Sequence, residues 1–140
     1  MADRAVGVGL ISVGWMGRAH SRAYRAVHEN YPDLAVRPRL VVAADVVDAN
    51  RRAATQLLGY AESTADYQDV PAHPEVDVVS ICAPNSLHRE MALAAAAAGK
   101  PFWIEKPMGR GLAESDDIAR AAEGRWIQPD QPAWERDPAL

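Results

Sequence analysis

Along this chain, short unbroken apolar runs alternate with stretches in which apolar and small residues return every three or four positions. Residues 5–11 (AVGVGLI) form the first run and lead into the glycine-bearing SVGWMG, which suits a strand buried on both faces followed by a tight turn. From Met16, Ala19, Ala23 and Val27 fall at helical spacing, with His20 and Tyr24 alongside, and predict a helix over 16–30 that Pro32 ends. Residues 40–44 (LVVAA) make a second strand, closed by Asp45, and a helix over 48–58 follows with Gly59 as its stop. The third strand is expected over 60–62, where the apolar signal is weakest, with a helical turn over 67–70. Residues 76–83 (VDVVSICA) read as a strand, Pro84, Asn85 and Ser86 as the turn and N-cap of an alanine-rich helix over 87–98, and Gly99 as its end. A fifth strand is expected over 101–105 (PFWIE), then a last helix over 112–123 with Glu114, Asp116 and Asp117 near its positive end.

Strict alternation of strand and helix implies right-handed crossovers and a parallel sheet covered on both faces. The expected fold class is α/β, a doubly wound parallel sheet of about five strands over residues 1–123. Residues 124–140 break the rhythm: three prolines and no regular period stand where a sixth strand would come, so an irregular tail is expected there. That tail holds Trp126 and Trp134.

A chain of 140 residues allows one such domain, and 49% hydrophobic with 24% charged residues fits a globular fold. The net charge of -4 argues against a nucleic-acid partner, which needs a basic footprint. The single Cys82 offers neither an intrachain disulfide nor metal-ligand spacing, so no metal site is expected. No apolar run approaches the roughly 20 residues of a membrane span. Residues 1–6 show no cleavage site of a signal peptide, which leaves the cytoplasm as the expected location. Oligomeric state is left open.

The candidate chemistry begins at the first turn, where Ser12, Val13, Gly14, Trp15, Met16 and Gly17 spell G-x-G-x-x-G with Ser in place of the first glycine. Gly14 would let the backbone approach a pyrophosphate, Gly17 would let the helix pack on the strand, and the helix-start amides would bind the phosphate charge. An ordinary glycine turn is the competing reading. Gly7 and Gly9 are decoys, lying within the strand and out of register with the motif. Asp45, at the end of the second strand, is placed to accept from both adenosine ribose hydroxyls and would repel a 2′-phosphate, favouring NAD over NADP. Arg51 and Arg52 are either solvated helix surface or cations able to reach such a phosphate.

Three blocks now carry a resemblance: GLISVGWMGRAH over 9–20, APNSLH over 83–88 and GKPFWIEKP over 99–107. In this order and spacing the sequence resembles the N-terminal domain of the Gfo/Idh/MocA oxidoreductases, the family of glucose-fructose oxidoreductase and inositol 2-dehydrogenase, over about residues 5–123. The resemblance implies a Rossmann fold binding NAD or NADP, joined to a larger C-terminal domain that holds most of the substrate pocket. It implies that Ser12 to Gly17, Trp15 and Met16 among them, surround the pyrophosphate, that Asp45 meets the ribose, and that Pro84, Asn85 and His88 line the coenzyme's path. Ser12 and Ala83 depart from the family's usual Gly and Thr. For His88, a first-turn residue satisfying the backbone is the alternative.

Glu105, Lys106 and Pro107 match the family's E-K-P motif, which implies that Lys106 stands beside the nicotinamide and the substrate hydroxyl as the catalytic residue. An ammonium there can hydrogen-bond the hydroxyl being oxidised and stabilise charge on its oxygen. Glu105 is expected to orient that lysine, and the resemblance implies a cis peptide at Pro107. In the family an Asp and a His of the second domain complete the proton relay. The implied function is therefore the coenzyme-binding part of an oxidoreductase moving hydride between a nicotinamide dinucleotide and a sugar, inositol or related polyol, if a second domain is supplied. A truncated or fragmentary gene is the expected origin of the tail. The alternative is a non-catalytic nucleotide-binding module or inactive truncation product. A Rossmann domain for another nucleotide, such as S-adenosylmethionine, leaves the E-K-P motif unexplained.

Overall fold

The computed structural model describes residues 4–123. Five parallel strands stand in the order β3-β2-β1-β4-β5. They are β1 (Arg4–Ile11), β2 (Val36–Ala44), β3 (Glu62–Thr64), β4 (Val78–Ile81) and β5 (Phe102–Ile104). The helices are α1 (Trp15–Asn30), α2 (Asp48–Ala53), α3 (Asp69–Ala72), α4 (His88–Ala97) and α5 (Leu112–Ala122). This is the doubly wound α/β arrangement expected, and the expected irregular tail, with Trp126 and Trp134, lies outside the described residues. Among the described residues no helix is long and apolar enough to cross a membrane.

The central strands are buried on both faces, which is why their runs are continuous rather than alternating. On one face Val41, Val79, Ile81, Met91, Ala92 and Ile118 form the larger core; on the other, Val8, Leu10, Leu40, Leu58 and Tyr60 pack together.

Several boundaries differ from expectation. The first half of β2 is exposed or half-buried, so its residues carry no apolar signal. The third strand begins at Glu62 instead of Tyr60, because Tyr60 turns into the core at 3% exposure and the edge strand that follows is a solvated one of three residues. The helix expected over 48–58 is α-helical to Ala53 and continues as a π-helical turn, Ala54–Leu58, which Gly59 closes at φ 94°. Residues Asn85–Leu87 form a 3₁₀ turn ahead of α4, and neither it nor α4 has a side-chain cap. The Asn85 amide is instead committed to a carbonyl elsewhere, described below.

Gly7 and Gly9 have a packing duty of their own. A Cβ on Gly7 would lie 1.8 Å from the Glu75 carbonyl oxygen, and one on Gly9 would lie 2.5 Å from Cγ1 of Val70. The Gly7 amide donates to Asp77 Oδ2 at 2.7 Å and its carbonyl accepts from the Asp77 amide at 2.8 Å. These contacts seat the connection before β4 directly on β1.

Candidate functional site

At the carboxyl ends of β1, β2 and β4 lies a groove of about 300 Å³, whose walls include Ser12, Gly14, Asp45, Val46, Tyr67 and Pro84. The chain winds outward from β1 through β2 to β3, then crosses back to β4 on the other side of β1, so the groove sits where the winding of the sheet reverses, the usual ligand position in such folds.

The turn from β1 into α1 forms its floor. Ser12 donates its amide to the Ala44 carbonyl at 2.8 Å and takes a left-handed φ of 75°, a conformation that costs a residue with a Cβ about 1–2 kcal/mol. A Cβ on Gly17 would lie 2.1 Å from the Ser12 carbonyl oxygen, so α1 approaches the turn only because this residue is glycine. Gly14 is different: a Cβ there would meet nothing closer than Ser12 Oγ at 3.7 Å. The protein itself does not require glycine at this position; a group lying against the backbone in the groove would. Helix α1 has no side-chain cap and no acidic residue in its first turn, leaving its positive end to serve an anion. Trp15 is exposed and Met16 half-buried at the start of that helix, and neither is on the groove wall.

Asp45 closes the far side. Its Oδ2 accepts from the Val13 amide at 2.8 Å and from Asn50 Nδ2 at 3.2 Å, while Oδ1 accepts from the Val47 amide at 2.8 Å. The carboxylate thus ties the glycine turn to the start of α2 and still lines the groove. Asn50, which also lines the groove and accepts from Arg18 Nη2 at 3.2 Å, was not singled out from the sequence. Arg51 donates to the Asp45 and Val46 carbonyls at 2.9 and 3.0 Å and to Asp48 at 3.1 Å. Arg52 pairs with the same Asp48. Arg51 is half-buried and engaged, whereas Arg52 is solvated helix surface with that exposed ion pair.

The opposite wall is built by the residues after β4. Pro84 lines the groove, whereas Asn85 and His88 do not. His88 is 1% exposed, its Nε2 lying 2.8 Å from the Ala83 carbonyl and its Nδ1 3.0 Å from that of Pro107. Its ring is thus spent on backbone, the alternative weighed for it above, and a direct place on the coenzyme's path is not what the geometry provides. Asn85 Nδ2 donates to the Pro107 carbonyl at 2.6 Å.

Lys106 follows β5 at the same edge of the sheet, exposed, with its peptide to Pro107 in the cis form. Among the described residues nothing pairs with its ammonium. Glu105 does not orient it: that carboxylate meets His20 Nε2 at 2.7 Å. The His20 ring reaches Ser80 Oγ through Nδ1 at 2.9 Å, Ser80 accepts from the Tyr24 hydroxyl at 3.1 Å, and Trp103 stands edge-on to the imidazole. A ring with Nε2–H toward the carboxylate and Nδ1 accepting from Ser80 satisfies the whole chain of groups. Burial raises the Tyr24 phenol and pushes the Cys82 thiol up to about 11, so Cys82 stays a protonated, unreactive thiol near neutral pH.

A parallel sheet, a groove at its winding reversal, a glycine turn with room kept at Gly14, an uncapped helix start and an acid at the end of β2 together define a Rossmann dinucleotide-binding domain. Residues 6–126 match the Gfo/Idh/MocA oxidoreductase family with its NAD-binding Rossmann fold, and this chain belongs to that family. It is 39% identical over 120 residues to levoglucosan dehydrogenase of Pseudarthrobacter phenanthrenivorans, covering 86% of this chain and 31% of that enzyme. To inositol 2-dehydrogenase of Klebsiella pneumoniae it is 36% identical over 102 residues, 72% of this chain and 28% of the enzyme. The structure of levoglucosan dehydrogenase in complex with NADH and L-sorbose superposes with a TM-score of 0.82 at 36% identity, over 86% of this chain and 32% of the other. The chain therefore spans about a third of the length of these relatives.

Proposed function

We propose that this chain binds NAD(H) in the groove between Ser12, Gly14, Asp45 and Pro84, as the coenzyme domain of a dehydrogenase acting on a sugar, inositol or related polyol. The observation that carries this reading is the space held open at Gly14 beside the uncapped start of α1. The pyrophosphate lies on that backbone, and Asp45 accepts from the adenosine ribose hydroxyls while keeping its hold on the Val13 amide. The coenzyme supplies hydride acceptance and donation when bound. Lys106 supplies an ammonium at the edge of the site, which donates to the substrate hydroxyl and steadies charge growing on its oxygen. This reading assigns the enclosure of the substrate and the exclusion of water to a second domain, in the part of the relatives' length that this chain does not span.

NAD is favoured over NADP. Asp45 would repel a 2′-phosphate, and Arg51 and Arg52, the neighbouring cations on α2, are already held by the Asp45 and Val46 carbonyls and by Asp48. Titration of the chain with NADH and NADPH, read by energy transfer from Trp15, is expected to show saturable binding with NADH preferred at least about tenfold, one decade being about 1.4 kcal/mol. Equal affinity for the two would remove Asp45 from its role, and failure of a folded chain to bind either would remove the reading.

The short span relative to the relatives favours one second reading: a module that binds NAD(H) without turning substrate over. Formation of NADH from NAD with a panel of polyols separates the two, since any substrate-dependent turnover by the pure chain eliminates the second.

A further inference from the structure

Lys106 is held in place by its neighbours in sequence rather than by its own side chain. Glu105 on one side is tied to His20. On the other side the Pro107 carbonyl accepts from Asn85 Nδ2 at 2.6 Å and faces His88 Nδ1 at 3.0 Å, and the Met108 carbonyl lies 3.2 Å from the same nitrogen. His88 Nε2 reaches the Ala83 carbonyl at 2.8 Å. The ring is buried between two stretches of backbone with carbonyl acceptors on both sides. A neutral imidazole has one hydrogen and serves one of them; the Asn85 amide supplies the second donor that Pro107 receives. Ala83, Pro84 and Leu87 are groove wall, so the segment bearing Lys106 is pinned to the wall of the groove by two side chains that do not enter it.

We infer that Asn85 and His88 are positioning residues, a clasp that holds residues 106–108 against the Ala83 to Leu87 wall and so sets where the Lys106 ammonium stands. Two features of the geometry support this over a purely local cap. Asn85 stands where an N-cap is expected, yet no side-chain cap is made there or at α4, and its amide crosses to Pro107 instead. His88 lies in the seam between the two segments, with a backbone carbonyl facing each nitrogen, its one N–H donating to one of them, and Asn85 Nδ2 3.4 Å from Nδ1.

The functional part of this inference rests on the proposed role of Lys106 beside the nicotinamide, so the test reads the clasp and the coenzyme separately. In the full 140-residue chain, backbone order parameters of the Lys106, Met108 and Gly109 amides are measured by NMR relaxation. Asn85→Asp keeps the size of the side chain and removes the donor to Pro107; the order parameters of these amides are expected to fall from about 0.85 to below about 0.6, with those of the sheet unchanged. His88→Ala is expected to do the same, and His88→Gln, which keeps an amide donor, to restore most of the order. Unchanged order at 106–109 in Asn85→Asp, which is half-buried and does not hollow out the core, would overturn the clasp even if His88→Ala fails to fold.

Titrations with NADH and with ADP-ribose, which lacks the nicotinamide end, form the second arm. In Asn85→Asp the affinity for NADH is expected to fall about tenfold and that for ADP-ribose to stay within about twofold, a tenfold loss being about 1.4 kcal/mol. Equal losses for both would mean that the substitution damages the groove generally and would overturn the positioning role. If the unmodified chain binds neither, the proposed function fails and the order parameters alone decide the clasp.

Discussion

The middle of β1 and the turn that follows it both depend on glycine, for opposite reasons. In the strand, Gly7 leaves room for protein: the Glu75 carbonyl already occupies the place of a Cβ. In the turn, Gly14 leaves room for something the chain does not itself supply, since the nearest atom to a Cβ there is 3.7 Å away. A glycine whose absent side chain is filled by the fold is a folding requirement. One whose absent side chain opens on a groove is, under the proposed function, a binding requirement.

Gly7→Ala should produce the largest effect. The new methyl would meet the Glu75 carbonyl oxygen, in a segment that Asp77 ties to the Gly7 amide and carbonyl. Over-packing normally costs about 1–3 kcal/mol and more when backbone must move; a loss above about 3 kcal/mol is expected here. Chemical denaturation of the purified variant measures it, and a midpoint unchanged from the parent chain would mean that the Glu75 segment gives way freely.

Gly14→Ala should reverse the pattern. Its φ of -69° and ψ of -165° are open to alanine, so stability is expected to stay within about 0.5 kcal/mol. A methyl between the backbone and the pyrophosphate should cost the complex about 1–3 kcal/mol, as over-packing does, which lowers NADH affinity roughly tenfold to a hundredfold. Loss of stability without loss of NADH affinity would erase the contrast between the two regions.

How much of this was legible in the sequence follows from burial. β1 and β4 stand out because they are covered on both faces and read as apolar runs. β3 is a solvated edge of three residues with nothing apolar to mark it. The glycine turn and Asp45 were readable because backbone geometry dictates their types at short spacing. The pairing of His20 with Glu105 spans 85 residues, and no local pattern reports that Glu105 faces a helix instead of the neighbouring lysine. A signal was nonetheless present: His20 and Tyr24, four apart on α1, place polar groups on one helical stripe, and Ser80 interrupts the apolar run of β4. Three polar groups at core-facing positions have to satisfy one another, and they do. The cross-over of Asn85 to Pro107 was hidden because an Asn before a helix is the ordinary sign of a cap.

Ser12 gives the smallest expected effect and the finest test of the comparison, since it is the one turn position where glycine is wanted and another residue stands. Its φ of 75° lies in the left-handed region, at a cost of about 1–2 kcal/mol for a residue with a Cβ. Its hydroxyl makes no hydrogen bond among the described residues that would offset that strain. Ser12→Gly removes the strain but gives back about 0.4–1 kcal/mol to the more flexible unfolded chain, for a net gain of about 0.5–1 kcal/mol. In a domain of this size that raises Tm by about 2–5 °C. NADH affinity should rise no more than about threefold, roughly 0.6 kcal/mol, because the Ser12 amide is already held by the Ala44 carbonyl and the floor of the groove does not move. A calorimetric scan decides the point. A lower Tm in the glycine variant would show that the Ser12 side chain holds the turn, and the positive φ would then be a conformation that this serine stabilises rather than one it endures.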